Sequence, residues 1–167
     1  MSGYGCVCAT IGAACRPDKG VTHDGIPCAG AGWLRAAAVI LVIWGGVGVF
    51  ACVQQFRLGA EAMGPADAYY RRLYLTFPIW YNAVYAVATG TGLLAALALL
   101  AGSALARPLF VISAIAVVVQ FGWLFAATDL IAVRGAAQVV PFPVFILAVA
   151  LFGVWLSGLA GRRGWIG

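Results

Sequence analysis

Four stretches of the chain run without a charged residue for long enough to cross a bilayer: positions 36–56, 73–106, 108–128 and 135–161. About 20 apolar residues span the roughly 30 Å hydrocarbon core as a helix. These runs predict helices at about 33–56, 78–100, 109–130 and 140–160. A transmembrane β-barrel would instead show alternating segments of about ten residues, and the chain has no such alternation. The expected fold class is all-α: an integral membrane four-helix bundle with short loops.

Residues near the ends of the runs set the boundaries. Trp33 is placed to sit at an interface, and Arg35 can snorkel outward from one turn inside. Gly45, Gly46 and Gly48 thin the middle of the first helix, and Gly48 with Cys52 makes a small-xxx-small pair for close approach of a neighbour. Gln54 and Gln55 close that helix. A loop follows, with Gly64-Pro65 as a turn signal and Asp67 as a cap or first-turn acid for a short helix through Tyr74. That helix carries Tyr69, Tyr70, Tyr74, Arg71 and Arg72, a mix that prefers the membrane surface. The second span opens near Pro78, where a missing N–H costs nothing. Trp80 and Tyr81 are expected in an aromatic belt. Ala88, Gly92 and Ala96 form a spacing-four seam. The turn at 102–108 is short, so the second and third spans form an antiparallel hairpin. The third span holds Ser113 and Gln120, with Asp129 at its exit. A loop carrying Arg134 leads to Pro141 and Pro143, which open the fourth span. Gly153, Ser157 and Gly161 make its seam, and Arg162, Arg163 and Trp165 anchor its far interface.

Composition agrees with the pattern. Charged residues are 9% and hydrophobic residues 64%, whereas a soluble domain carries about 25% charged. Positions 1–32 stand apart as a Gly- and Cys-rich tail, expected to be poorly ordered. They lack a signal-peptide pattern, and a start codon lying upstream of the true one is a second reading of them. The net charge is +5, but the basic residues sit at the ends of spans and face headgroups, so the partner is a lipid bilayer and not nucleic acid. Of the 10 Lys and Arg, Arg16, Lys19, Arg35, Arg107, Arg162 and Arg163 fall on the side of the termini. Arg57, Arg71, Arg72 and Arg134 fall on the other. The positive-inside rule then puts both termini in the cytoplasm of a bacterial-type inner membrane.

Two groups of residues could carry chemistry. Cys6, Cys8, Cys15, Cys28 and His23 in the tail suggest a metal site or a redox relay. Their spacing does not match paired zinc ligands, and no Cys-x-x-Cys occurs. No metal site, cofactor or enzymatic activity is therefore expected, and Cys52 reads as a packing residue. The second group is intramembrane. Asn82, Tyr85 and Thr89 share a face of the second span, and Ser113 and Gln120 share a face of the third. At 1.5 Å per residue, Thr89 lies roughly 16 Å and Gln120 roughly 15 Å from the same side, so the two are expected to meet. One reading makes these residues, with Gln54 or Gln55, a polar vestibule for a small uncharged solute. The other makes them interhelical hydrogen bonds, worth about 0.6 kcal/mol each in membranes. Asp129 is either a proton-coupling carboxylate or an interfacial charge balanced by Arg134. The first span has no acid, which argues against a proton-coupled exporter built on a buried glutamate.

Tyr69-Tyr70, Phe77-Pro78-x-Trp80, Gly90-x-Gly92, Leu93-Leu94 and Ala106-x-Pro108-Leu109-Phe110-x-Ile112-Ser113 resemble a family of small four-helix bacterial membrane proteins often labelled "sugar transporter". The resemblance covers residues 33–166. The tryptophan–asparagine pair of the family's first helix stands here as Trp44-Gly45. The resemblance implies four spans and transport, and it supplies no binding residues. The functional expectation is binding or transport of a small uncharged polar solute, with a homodimer to thicken the wall. A non-catalytic accessory subunit of a membrane complex is the alternative. A membrane thiol redox enzyme comes third.

Overall fold

The computed structural model describes residues 29–63 and 68–163. The Cys-rich tail, the Gly64-Pro65 turn, the Asp67 cap and the Trp165 anchor lie outside the described residues. The described chain is helical. It comprises α1 (Ala29–Leu58), a 3-10 turn (Gly59–Met63), α2 (Ala68–Leu75), α3 (Ile79–Leu100), α4 (Ala106–Ala127), α5 (Leu130–Arg134), α6 (Ala136–Val139) and α7 (Pro141–Arg162). Four segments are long and apolar enough to cross a membrane, Gly32–Ala62, Ile79–Leu100, Ala106–Ala127 and Ala136–Arg162. The protein is a multi-pass, all-α membrane bundle.

The α3–α4 hairpin is set by Gly102. Its φ of 74° places it in the left-handed region open to glycine. There the Gly102 amide donates to Leu99 O at 3.1 Å and the Ser103 amide to Ala98 O at 2.8 Å. This pair of bonds satisfies the last carbonyls of α3 and turns the chain. Pro108 falls in the first turn of α4, where no carbonyl awaits its amide. α4 starts three residues earlier than the apolar run suggests and ends at Ala127, where the Thr128 hydroxyl donates back to Leu124 O. The segment between α4 and α7, expected to be a loop, is two short helical turns parted by Gly135 at φ 82°.

Contacts run in sequence order: α1 packs on α3, α3 on α4, and α4 on α7. α1 and α7, the two ends of this row, contact each other sparsely. Small residues let the neighbours come close. A Cβ on Gly45 would sit 2.9 Å from Leu93 Cα, one on Gly48 would touch Thr89, and one on Gly92 would touch Ser113 Oγ at 3.1 Å. Gly153 lies under the Phe110 ring. The spacing-four seams therefore serve contacts within the bundle.

The end that carries the termini is the tightest part. Leu34, Ala38 and Leu41 of α1, Ala95, Ala96 and Leu99 of α3, Ala106 and Phe110 of α4, and Leu156 and Ala160 of α7 form one buried cluster there. At the opposite end α2 acts as a cap. Leu73 of α2 is buried with Tyr81, Leu124 and Leu130. The Tyr69 hydroxyl donates to Asp129 Oδ1 at 2.8 Å. The Arg134 guanidinium stacks over the rings of Tyr69 and Tyr70, 5.7 and 4.8 Å from their centroids. A desolvated contact of that kind contributes on the order of 1–2 kcal/mol. Asp129 is thus an exposed carboxylate outside the spans, engaged in holding the cap.

Candidate functional site

A cavity of about 460 Å³ lies within the bundle, between the tight terminal cluster and the cap. All four spans line it. From α1 come Trp44, Gly48, Ala51 and Gln55, and from α3 Tyr81, Tyr85, Thr89 and Gly92. α4 adds Ser113, Val117 and Gln120, and α7 adds Phe142, Ile146, Val149 and Ala150. It lies where α1 and α7 contact each other only sparsely. The glycines on α1 draw that helix onto α3 and away from α7, leaving the Trp44–Phe145 edge-to-face pair, with centroids 5.3 Å apart, as their bridge. The volume suits a small molecule, since ligand sites run to about 300–1,000 Å³.

The polar groups of the cavity are concentrated on α3 and α4. Ser113 is buried, and its hydroxyl donates to Ala88 O at 2.7 Å. Thr89 donates to Tyr85 O at 3.0 Å and is within side-chain hydrogen-bonding reach of Cys52. Both hydroxyls are largely spent on packing. Gln120 is 5% exposed, and its side chain lies within hydrogen-bonding reach of Tyr81. A primary amide offers two donor hydrogens and an acceptor with two lone pairs, so most of the capacity of Gln120 remains for the cavity. The Tyr85 hydroxyl makes no hydrogen bond among the described residues. Among the described residues, no charged side chain lines the cavity. The site therefore pairs a few neutral donors and acceptors with aromatic and aliphatic walls, and it favours an uncharged ligand.

The residues singled out from the sequence divide. Tyr85, Thr89, Ser113 and Gln120 are brought together here, and so is Gln55. Gln54 does not line the cavity. Asn82 sits on the far side of Gln55, whose Nε2 donates to Asn82 Oδ1 at 3.1 Å. It faces instead a groove of about 410 Å³ beside Phe56, Tyr74 and Phe77. The wall of α3 is centred nearer Tyr81 and Ala88, which leaves Asn82 on its edge. Thr89 and Gln120 do not meet. Ser113 bonds at the level of Ala88, and Gln120, seven residues on, lies within reach of Tyr81. Thr89 is then about 12 Å along the axis from the level of Tyr81. One source of the difference is the end of α4 at Ala127, three residues short of the expected end, which brings Gln120 nearer the cap.

Tyr81 departs furthest from expectation. As a belt residue it would face the headgroups, but it is 3% exposed and packs against Phe77 and Trp123, with centroids 4.4 and 5.4 Å apart. Its spacing of four from Tyr85 and seven from Ala88 could have placed it on the inner face. Trp80 and Trp33, 41% and 40% exposed, remain at the bundle surface, as do Arg162 and Arg163. Comparison of the chain with protein-family models, with curated proteins and with solved structures found no match.

Proposed function

We propose that the protein binds a small uncharged molecule bearing hydrogen-bonding groups inside its helix bundle, as the resident step of moving it across or within the membrane. The observation that carries this reading is the Gln120 amide. It is buried at the back of a 460 Å³ cavity with no charged lining residue among the described residues, and Tyr81 is the side chain within its hydrogen-bonding reach. An amide sealed in an apolar core with unspent donors would cost about 1–3 kcal/mol, and Gln120 instead lines the cavity. Packing alone gives no reason to place a glutamine there, whereas a ligand hydroxyl, carbonyl or amide would complete its bonding. The accessory-subunit reading needs free small-residue seams, and here Gly45, Gly48, Gly92 and Gly153 are occupied by neighbours of the same bundle. In the same reading the protein sits in a bacterial-type inner membrane with both termini cytoplasmic, following the excess of Lys and Arg on that side.

The test is thermal melting of the protein in nanodiscs against a panel of size-matched compounds. Neutral compounds with a hydroxyl, carbonyl or amide should raise the melting temperature in proportion to their affinity. Ammonium and carboxylate analogues of the same size should not. Gln120→Leu should abolish the response and leave the helical content unchanged. Equal stabilisation by charged analogues, or a full response in Gln120→Leu, would remove the proposed site.

A further inference from the structure

We infer that the ligand enters from the lipid, through the cleft between α1 and α7, and is a neutral amphiphile bound with its polar end innermost. This rests on the binding reading above and deepens it to a route and a ligand class. Three independent features converge on it. First, the two spans that flank the cleft touch each other as little as the diagonal pair α3 and α7 do, so the cavity is thinly walled on that side. Second, the cleft is apolar along its height. Val47 and Ala51 of α1 and Phe142 and Ile146 of α7 line the cavity, and Val47, Ala51 and Phe142 are also exposed at the bundle surface. A residue exposed there on a membrane span faces acyl chains. Third, most of the hydrogen-bonding groups lie across the cavity from the cleft, on α3 and α4, with Tyr81, Tyr85 and Gln120, while Gln55 of α1 donates to Asn82.

A molecule crossing this cleft passes apolar groups first and reaches donors and acceptors last. A fully polar solute from water would shed its hydration at the mouth and gain nothing in return until it had crossed. An amphiphile already dissolved in the bilayer enters head first, satisfies Gln120 and Tyr85, and leaves its apolar body between α1 and α7 against lipid. The alternative route through the end bearing the termini is filled by the buried cluster of Leu34, Ala38, Leu99, Phe110, Leu156 and Ala160. Trp44 and Phe145, edge to face between the two helices, mark the lower limit of the opening.

The experiment uses Thr89→Cys in a full-length chain whose 5 native cysteines are replaced by alanine, reconstituted in liposomes. Its thiol is offered a neutral, lipid-partitioning maleimide or the sulfonated, membrane-impermeant counterpart, before and after permeabilisation. The neutral reagent is expected to react on the order of a hundredfold faster, because a charged reagent is excluded from the bilayer. Val47→Trp, which narrows the cleft from an exposed position, should slow the reaction several-fold, and Phe142→Ala should quicken it. Comparable rates for the two reagents after permeabilisation, or rates unmoved by both cleft variants, would overturn the lipid route while leaving the cavity as an accessible site. A thiol silent to both reagents in every variant would overturn the route and the binding reading together.

Discussion

Gly45 decides how near α1 comes to α3, and with it how far α1 stands from α7. A methyl there would meet Leu93 Cα at 2.9 Å, backbone that cannot swing aside, whereas one on Gly46 meets nothing within 4 Å. Gly45→Ala is therefore expected to destabilise the protein by about 1–3 kcal/mol, the usual cost of overpacking. Gly46→Ala should be neutral or stabilising by up to about 1 kcal/mol through helix propensity. Denaturation in mixed micelles reads both, and equal effects would contradict the assigned approach of the two helices. Single residues are unevenly legible in the sequence. Gln120 and Tyr85 stand out as polar groups in apolar runs and do line the cavity. Ser113 stands out equally, yet its hydroxyl is engaged by Ala88 O. Whether a hydroxyl is spent on a carbonyl depends on the register of two helices, which neither helix encodes alone. For Tyr81 the adjacent Trp80 suggests a belt, while its helical spacing from Tyr85 holds the better information.

At the scale of the element, α2 is held by side chains rather than by length. Its eight residues are too few to be helical alone. Leu73 anchors it from below, while Tyr69 ties it to Asp129 and Arg134 covers its tyrosine rings. Burial, and then the hydrogen bond and charge of Asp129, push the Tyr69 hydroxyl from 10.0 up to about 12. A hydroxyl whose folded pKa is raised binds its proton more tightly in the folded state, so its contribution is complete below pH 10 and is lost as pH rises through about 12. Tyr69→Phe should speed amide exchange in 68–75 several-fold and leave the spans protected. An unchanged exchange rate would mean that Leu73 alone holds the cap. The spans are legible because, in a chain this apolar, about 20 residues without a charge are the length of a bilayer crossing. Their ends are not, since an apolar run continues through the capping turn. The α5–α6 segment is illegible because its helical turns are only five and four residues long and carry no periodic signal.

For the whole molecule, the arrangement of four helices in a row, with its ends barely in contact, makes the cavity. No motif announces this order. It follows from where glycine permits close approach: α1 to α3 at Gly45 and Gly48, α3 to α4 at Gly92, and α4 to α7 at Gly153. The sequence displays these as seams without saying which helix fills each. A void of this size is a standing cost, on the order of 24 cal/mol per Å³ where it stays empty, and a ligand or lipid chain offsets it. The most direct measurement is the melting temperature of Val149→Phe, with and without the best neutral compound. Val149 lines the cavity from α7 and is backed by the terminal cluster, so a ring there fills the space reserved for ligand. The account predicts a melting temperature equal to or above that of the parent, and no further rise when the compound is added. A lower melting temperature with the compound's effect intact would mean that there is no room at Val149 and that the ligand site lies elsewhere.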